Sequence, residues 1–331
     1  MCLKTQSVCH YRRYVLFSGM AFLQVEAISK INKHNTALEA VSFSMERLQK
    51  WAVAGETGSG KTSLLKIIGG HAQASSGNVY FEGTRVPGID EKLLPGHPGI
   101  AYLGQHFELL NNYWVHELLE YANDLSPEFA AKLYQLCRID HLTNRRTNEL
   151  SGGERQRIAL AKLLTKSPRL LLLDEPFSNL DNGHKKIIKQ VIADVSKELS
   201  ITCIIVSHDA ADLLSWADSI LVLQNGKLIQ QGSPGEIYHQ PVNEYCAALF
   251  GEYSIIHENG TSRMLRPNDI QLSKEPGKGR AATVKSISFA GSSYLYELDF
   301  EGQTIKAIHL NNEFTEGETV YTSFSPQREA E

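Results

Sequence analysis

The stretch Trp51-Ala52-Val53-Ala54-Gly55-Glu56-Thr57-Gly58-Ser59-Gly60-Lys61-Thr62-Ser63-Leu64-Leu65-Lys66-Ile67-Ile68-Gly69-Gly70 decides the reading of this chain. Residues 55–62 satisfy the pattern G-x-x-x-x-G-K-[ST] at every fixed position. Trp51–Ala54 is a short apolar run of strand type. Thr62–Ile68 carries apolar residues at helical spacing until Gly69-Gly70 stop it. A strand, a glycine loop and a helix start together aim backbone N–H groups and a positive dipole end at one point, which suits a polyphosphate. Glycine is required wherever a Cβ would block the turn or the approach to phosphate. In such a loop Lys61 reaches the β- and γ-phosphates and the Thr62 hydroxyl binds Mg²⁺. Gly55, Glu56, Thr57, Gly58, Ser59, Gly60 and Ser63 complete the candidate nucleotide contact. The competing reading, a chance glycine-rich turn, leaves both flanks unexplained.

The rest of the composition narrows the class. With 331 residues there is room for one large domain and a smaller one. A net charge of −4 gives no electrostatic case for a nucleic-acid partner. The five cysteines are scattered, odd in number and without metal-ligand spacing, which reads as reduced thiols in a cytosolic protein. No apolar run approaches the roughly 18–20 residues that span a bilayer. Lys4, Arg12 and Arg13 ahead of Tyr14–Leu23 superficially resemble a signal peptide, yet Phe22–Ile28 also reads as the first strand. Met20 sits just before that strand, so residues 1–21 are expected to be an N-terminal extension of which 1–19 come from an over-long start.

Taken in order, strands are expected around Leu23–Ile31, around Ala40–Met45, entering the glycine loop, over Gly77–Gly83 and over Ile100–Leu103. Between them, Val86–Gly99 is Pro/Gly-rich loop. Residues 113–149 turn helical: Ser126-Pro127 starts a helix whose Phe129, Leu133, Leu136 and Ile139 form an apolar stripe. Ser151 and Glu154 have capping-box spacing at the head of another helix. Leu170–Leu173 and Ile201–Val206 are wholly apolar runs suited to strands buried on both faces of a parallel sheet, with a helix over Lys185–Leu199 between them. Asn225-Gly226 is a preferred hairpin turn. Alternating strands and helices predict an α/β domain over residues 22–251. From about residue 252 short alternating strands (Ala282–Phe289, Tyr294–Phe300, Thr304–Ile308, Thr319–Phe324) predict a separate small all-β domain over 252–331.

Hydrolysing a γ-phosphate needs a carboxylate-held metal and an oriented water. Asp174-Glu175 follow the buried Leu170–Leu173 run, and adjacent strand side chains point oppositely. One acid can therefore face Mg²⁺ (Asp174) and the next an attacking water (Glu175). The bland reading, a strand end with solvated acids, would hold for an isolated pair.

With these motifs in place, residues 22–250 resemble the ATP-binding subunit of ATP-binding-cassette (ABC) transporters. Leu150-Ser151-Gly152-Gly153-Glu154-Arg155-Gln156 is similar to that family's signature motif. The resemblance implies a P-loop NTPase fold of ABC type with a helical subdomain at about 106–165. It further implies that Gln105 senses Mg²⁺, that Asp174 and Glu175 are the metal-binding and catalytic acids, and that His208 contacts the γ-phosphate. Ser178-Asn179-Leu180-Asp181 matches the loop that crosses a dimer interface. Two nucleotides would then lie between two such domains, each phosphate loop facing the partner's Ser151, Gly152, Gly153 and Glu154. One position departs from the family: Asn32 stands where an aromatic residue usually stacks on adenine, with His34 nearby. The tail, with Leu265–Ile270, resembles the oligonucleotide-binding-fold (OB-like, TOBE) accessory domain of importer ATPases; a dimerisation tail is the alternative. The family reading implies ATP and Mg²⁺ as ligands and a homodimer or a pair with a related subunit. It also implies membrane permease subunits, a solute-binding protein, and a place on the cytoplasmic face of the inner membrane. The rival class is a soluble ABC ATPase of DNA repair or translation, but the coiled-coil insertions, zinc modules or second cassette usual there are not visible.

Overall fold

A computed structural model describes residues 21–32, 35–105, 109–178, 180–258 and 260–325. The expected N-terminal extension, apart from Ala21, and His34 and Asn179 lie outside the described residues. The chain opens with the antiparallel pair β1 (Leu23–Asn32) and β2 (Asn35–Met45), followed by β3 (Lys50–Ala54) and α1 (Lys61–Ile68). Next, β4 (Ser76–Phe81) and the short β5 (Thr84–Arg85) return to β1, giving one antiparallel sheet of order β2-β1-β4-β5. β6 (Ile100–Leu103) leads into α2 (Val115–Ala122), α3 (Pro127–Leu136) and α4 (Gly152–Leu164). β7 (Leu170–Asp174), α5 (Asn182–Glu198), β8 (Thr202–Val206) and α6 (Ala210–Leu214) follow. The hairpin of β9 (Ser219–Gln224) and β10 (Lys227–Gly232) precedes α7 (Pro234–His239) and α8 (Glu244–Leu249).

The second sheet has order β10-β9-β3-β8-β7-β6 and is parallel from β9 through β6. Its central strands are buried on both faces, and the two-residue period of a strand divides their side chains between two cores. Leu171, Leu173, Cys203 and Ile205 pack with α2, α4 and α5 on one side, while Leu170, Leu172, Ile204 and Val206 pack with α1 and the antiparallel sheet on the other. Those strands therefore read as continuous apolar runs. Because they are parallel and in register, Leu103 beside Leu173 and Leu173 beside Ile205, their C-terminal ends open at one edge.

Three readings are corrected by the structure. β2 begins at Asn35, not near Ala40: its first residues are largely exposed, so no apolar alternation marks them. Phe129 leaves the expected apolar stripe of α3; it is 47% exposed, whereas Ala130 and Leu133 are buried. Leu133 and Ile139 are buried in one core with Leu136 packed against it, as expected, although Ile139 lies beyond the end of the helix. Glu175 is not the next residue of a strand: β7 ends at Asp174, and Glu175 takes a left-handed backbone, φ 54°.

Beyond α8 the elements among the described residues are strands, apart from a 3-10 turn at Pro267–Asp269. β11 (Ser254–Glu258) and β12 (Thr261–Leu265) form a hairpin. β13 (Ile270–Ser273), β14 (Arg280–Phe289), β15 (Tyr294–Phe300), β16 (Gln303–His309) and β17 (Thr319–Phe324) form an antiparallel sheet of order β13-β17-β14-β15-β16. β11 to β13 escaped the sequence reading because they are short and half polar. Tyr296, Leu298, Phe300, Ile305 and Val320 centre a core of this unit's own. It is tied back by the buried Arg266, whose guanidinium donates to the carbonyls of Tyr238, Ala247, Gly251 and Glu252.

Separate cores predict separate folding. A chain ending at Gly251 should still melt cooperatively, at a Tm lowered by no more than about 12 °C. That figure corresponds to a loss of about 1–3 kcal/mol at roughly 2–4 °C per kcal/mol for a unit of this size. Calorimetry on both chains checks it, and a broad, non-cooperative transition in the shorter chain would show that its core depends on the tail.

Candidate active site

The glycine loop joins the end of β3 to α1, and two of its glycines are dictated by what stands beside them. A Cβ on Gly55 would lie 2.4 Å from the Leu223 carbonyl oxygen, and one on Gly60 the same distance from that of Ala37. Both also have positive φ, 152° and 105°. Gly60 is the N-cap of α1, so the first N–H groups of that helix open into the loop without a side-chain cap. The Lys61 ammonium folds back and donates to the carbonyls of Gly55 (2.6 Å) and Glu56 (2.8 Å). Burial pulls its pKa down, while Glu175, Asp174 and Glu56 pull it up; burial wins.

On the neighbouring strands the acids take up different surroundings. Asp174, 2% exposed at the end of β7, accepts from the Thr62 hydroxyl through Oδ1 and from the Tyr102 hydroxyl through Oδ2, both at 3.0 Å. Two of the three residues expected at Mg²⁺, Thr62 and Asp174 but not Gln105, are thus already in contact across 112 positions of sequence. An oxygen-only pair of a carboxylate and a hydroxyl suits that hard cation. Glu175 turns away from Asp174: its Oε2 accepts from the Ser178 hydroxyl (3.0 Å) and lies 2.7 Å from His208 Nδ1. His208 follows β8 and is exposed, whereas Glu175 is mostly covered, with side-chain exposures of 66% and 12%.

One cleft of about 530 Å³ is lined by Thr57, Gly58, Gly60, Lys61, Thr62, Ser63, Gln105, Glu175 and His208, with Asn32, Asn35 and Ala37; Asp174 is not part of the lining but is bonded to Thr62, which is. Gln105 enters from the loop after β6, so it stands at the same sheet edge. Asn32 borders the cleft, as its position in the sequence implied, and no Phe, Tyr or Trp joins it among the described residues. Tyr102 was missed by sequence reasoning, although a hydroxyl-bearing ring on a short buried strand three residues before Gln105 is a usable signal. Burial and the adjacent Asp174 carboxylate raise its pKa, keeping the phenol a hydrogen-bond donor.

The signature residues do not reach this cleft. Ser151 caps α4 with the expected box: its hydroxyl accepts from Glu154 N–H (3.3 Å), and Glu154 Oε2 accepts from Ser151 N–H (2.8 Å). Ser151 and Gly152 are exposed, and Gly153 is buried against His184. Asp181 caps α5 in turn, Oδ1 accepting from His184 N–H at 2.9 Å and Oδ2 lying 2.6 Å from the His184 ring. Ser151–Glu154 and Asp181 line none of the cleft.

Comparison with known proteins agrees with this geometry. Residues 38–178 match the ABC transporter family and residues 264–329 the TOBE domain. The chain is 32% identical over 295 residues to the sulfate/thiosulfate import ATP-binding protein of Pseudomonas putida, covering 85% of this chain and 88% of that one. It is 32% identical over 314 residues to a glucose import ATP-binding protein of Saccharolobus solfataricus, with 83% and 88% covered. Against an Fe(3+) ions import ATP-binding protein of Rhodococcus jostii it is 32% identical over 300 residues, with 82% and 86% covered. Among solved structures, the ADP-bound ATP-binding cassette MJ1267 superposes with TM-score 0.58 at 26% identity, covering 67% of this chain and 96% of that one. CbiO1 of Clostridium perfringens, part of the ABC transporter complex cbiONQ, gives 0.58 at 26%, with 66% and 90% covered. The phosphate loop, the acids at the end of β7 and the β-rich tail are thus the parts of one known design, and the chain belongs to the ATP-binding subunits of import-type ABC transporters.

Proposed function

We propose that this subunit works as a pair of cassettes, with itself or with a related chain, and that each pair hydrolyses two Mg-ATP to drive solute through separate permease subunits. The observation that carries this reading is the convergence of Lys61, the Thr62–Asp174 pair, the Glu175–His208 pair and Gln105 on one cleft. Lys61 and the α1 N–H groups bind the triphosphate; bound Mg²⁺ would offset its negative charge, held by Thr62 and Asp174 with Gln105 beside them. Glu175, oriented by Ser178 and His208, is placed to take a proton from water without gripping the nucleotide. The segment Ser151, Gly152, Gly153 and Glu154, away from the cleft and exposed at Ser151 and Gly152, would complete the site of the facing cassette, and Asp181 would lie near where the two meet.

Among the described residues no helix is long and apolar enough to cross a membrane, which fits a subunit held at the cytoplasmic face of the inner membrane by its permeases. A solute-binding protein on the other side would supply the cargo. Three relatives of equal identity bear three cargo names, sulfate/thiosulfate, glucose and ferric ion. What the chain shares with them is therefore the motor and not the cargo site. A soluble repair or translation ATPase is disfavoured by the same relatives and by the TOBE match.

Removing the base should separate binding from turnover. Glu175→Gln is expected to bind Mg-ATP, accumulate as a closed dimer by sedimentation and lose about 10²–10⁴-fold in hydrolysis. Lys61→Ala should instead lose the nucleotide itself. Hydrolysis at the parent rate in Glu175→Gln would remove Glu175 from the role of base.

Tyr102→Phe leaves Asp174 Oδ2 without its donor. Binding of Mn²⁺ in the presence of ATP, followed by electron paramagnetic resonance, should weaken several-fold, while metal-free ATP binding stays put. Unchanged Mn²⁺ affinity would limit Tyr102 to packing.

Base stacking on an aromatic ring contributes about 1–3 kcal/mol where it occurs. Asn32→Tyr should accordingly bind ATP at least about fivefold tighter by calorimetry, and discriminate better against other bases. Equal affinities would mean that another group already holds the base.

A further inference from the structure

Outside the residues that line the cleft, one hydroxyl touches the phosphate loop from 189 positions away in sequence. Tyr245, on α8, accepts from the Glu56 N–H at 3.0 Å and donates to the Leu223 carbonyl at 2.9 Å. The N–H of Glu56 and the C=O of Gly55 belong to one rigid peptide plane. The oxygen of that plane accepts from Lys61 at 2.6 Å, so Lys61 and Tyr245 hold opposite edges of the same peptide. The Leu223 oxygen that receives the Tyr245 proton is also the atom a Cβ on Gly55 would strike. Tyr245 therefore bridges the end of β9 to the first peptide of the loop.

The hydroxyl is itself held still. Asn243 caps α8 by accepting from Cys246 N–H at 2.9 Å, and Cys246 and Ala247 are buried. Arg266 donates to the Ala247 carbonyl at 3.0 Å and to three others around the ends of α7 and α8, so the helix cannot slide with the loop. Rotating the Gly55–Glu56 peptide would break its bonds to both Lys61 and Tyr245. A loop fixed in this way loses less conformational freedom when a phosphate group binds.

We propose that Tyr245 is a positioning residue of the phosphate loop: its hydroxyl fixes the Gly55–Glu56 peptide from which Lys61 is suspended, and thereby sets the affinity for a nucleoside triphosphate. This rests on the reading of the cleft as a nucleotide site. When the triphosphate draws Lys61 from the Gly55 and Glu56 carbonyls, the bond from Glu56 N–H to Tyr245 remains and keeps the peptide from turning. Tyr245 acts on binding and not on the chemical step, because it lies outside the group formed by Glu175, His208 and Gln105.

The test removes one oxygen atom from the full chain. Tyr245→Phe should raise the Kd and KM for ATP by about three- to tenfold, the usual weight of one hydrogen bond, with kcat within about twofold of the parent. Tyr253→Phe, which loses a hydroxyl near α8 that points to Glu244 and not to the loop, should leave both constants unchanged. Hydrogen exchange of the nucleotide-free chains supplies a readout independent of ATP: the segment holding Glu56 should exchange faster in Tyr245→Phe alone. Unchanged Kd and unchanged exchange in Tyr245→Phe would overturn the proposal, as would equal weakening in Tyr253→Phe. Failure of the parent chain to bind ATP would instead overturn the reading of the cleft, while the exchange rates would still decide whether Tyr245 holds the loop.

Discussion

The parallel register of β3, β8, β7 and β6 is the constraint on which everything else in this protein depends. Parallel strands end together, and here their ends deliver the glycine loop, His208, Asp174-Glu175 and Gln105 to one edge of one sheet. No side chain has to reach far. Antiparallel pairing at any of these positions would carry one of the groups to the opposite edge, out of reach of the others. The buried runs Leu170–Leu173 and Thr202–Val206 enforce the arrangement, because strands covered on both faces have no side to turn outward.

On that frame the charges are arranged so that each finds an opposite or a dipole. Lys61 is buried, which by itself would favour losing its proton, yet two carbonyls and three acids stand near it. Asp174 is almost wholly covered and is satisfied by the hydroxyls of Thr62 and Tyr102. The hydrogen bonds to this buried carboxylate come from neutral hydroxyls, and the nearby positive charge is that of Lys61. Glu175 is kept apart from it by a backbone turn at φ 54°, which sends the second acid toward His208. Two adjacent acids thereby acquire two environments, one buried against hydroxyls and one beside an imidazole, as the proposed roles of metal ligand and base require.

The signature segment shows a different division of labour. Its capping box and the packing of Gly153 against His184 are complete within the chain, and its exposed residues have nothing to do there beyond starting α4. Arg266, far along the sequence, ties the β-rich unit to the helix that carries Tyr245, and Tyr245 in turn touches the loop. The tail is thus continuous with the phosphate site through backbone carbonyls and one phenol, although its own core is separate.

The sequence by itself determined the phosphate loop, the acid pair, the caps at Ser126 and Ser151, the buried strands and the all-β tail. These rest on local chemistry: a glycine that no other residue can replace, a hydroxyl three residues before a carboxylate, an apolar run too short for a helix. The start of β2, the exposure of Phe129, the strands β11 to β13 and the left-handed Glu175 were settled only in three dimensions. So were Tyr102 and Tyr245, because a hydrogen bond across 72 or 189 positions leaves no periodic trace in the chain. Neighbours along a strand announce themselves by spacing, but neighbours across a sheet edge exist only once the strands have paired.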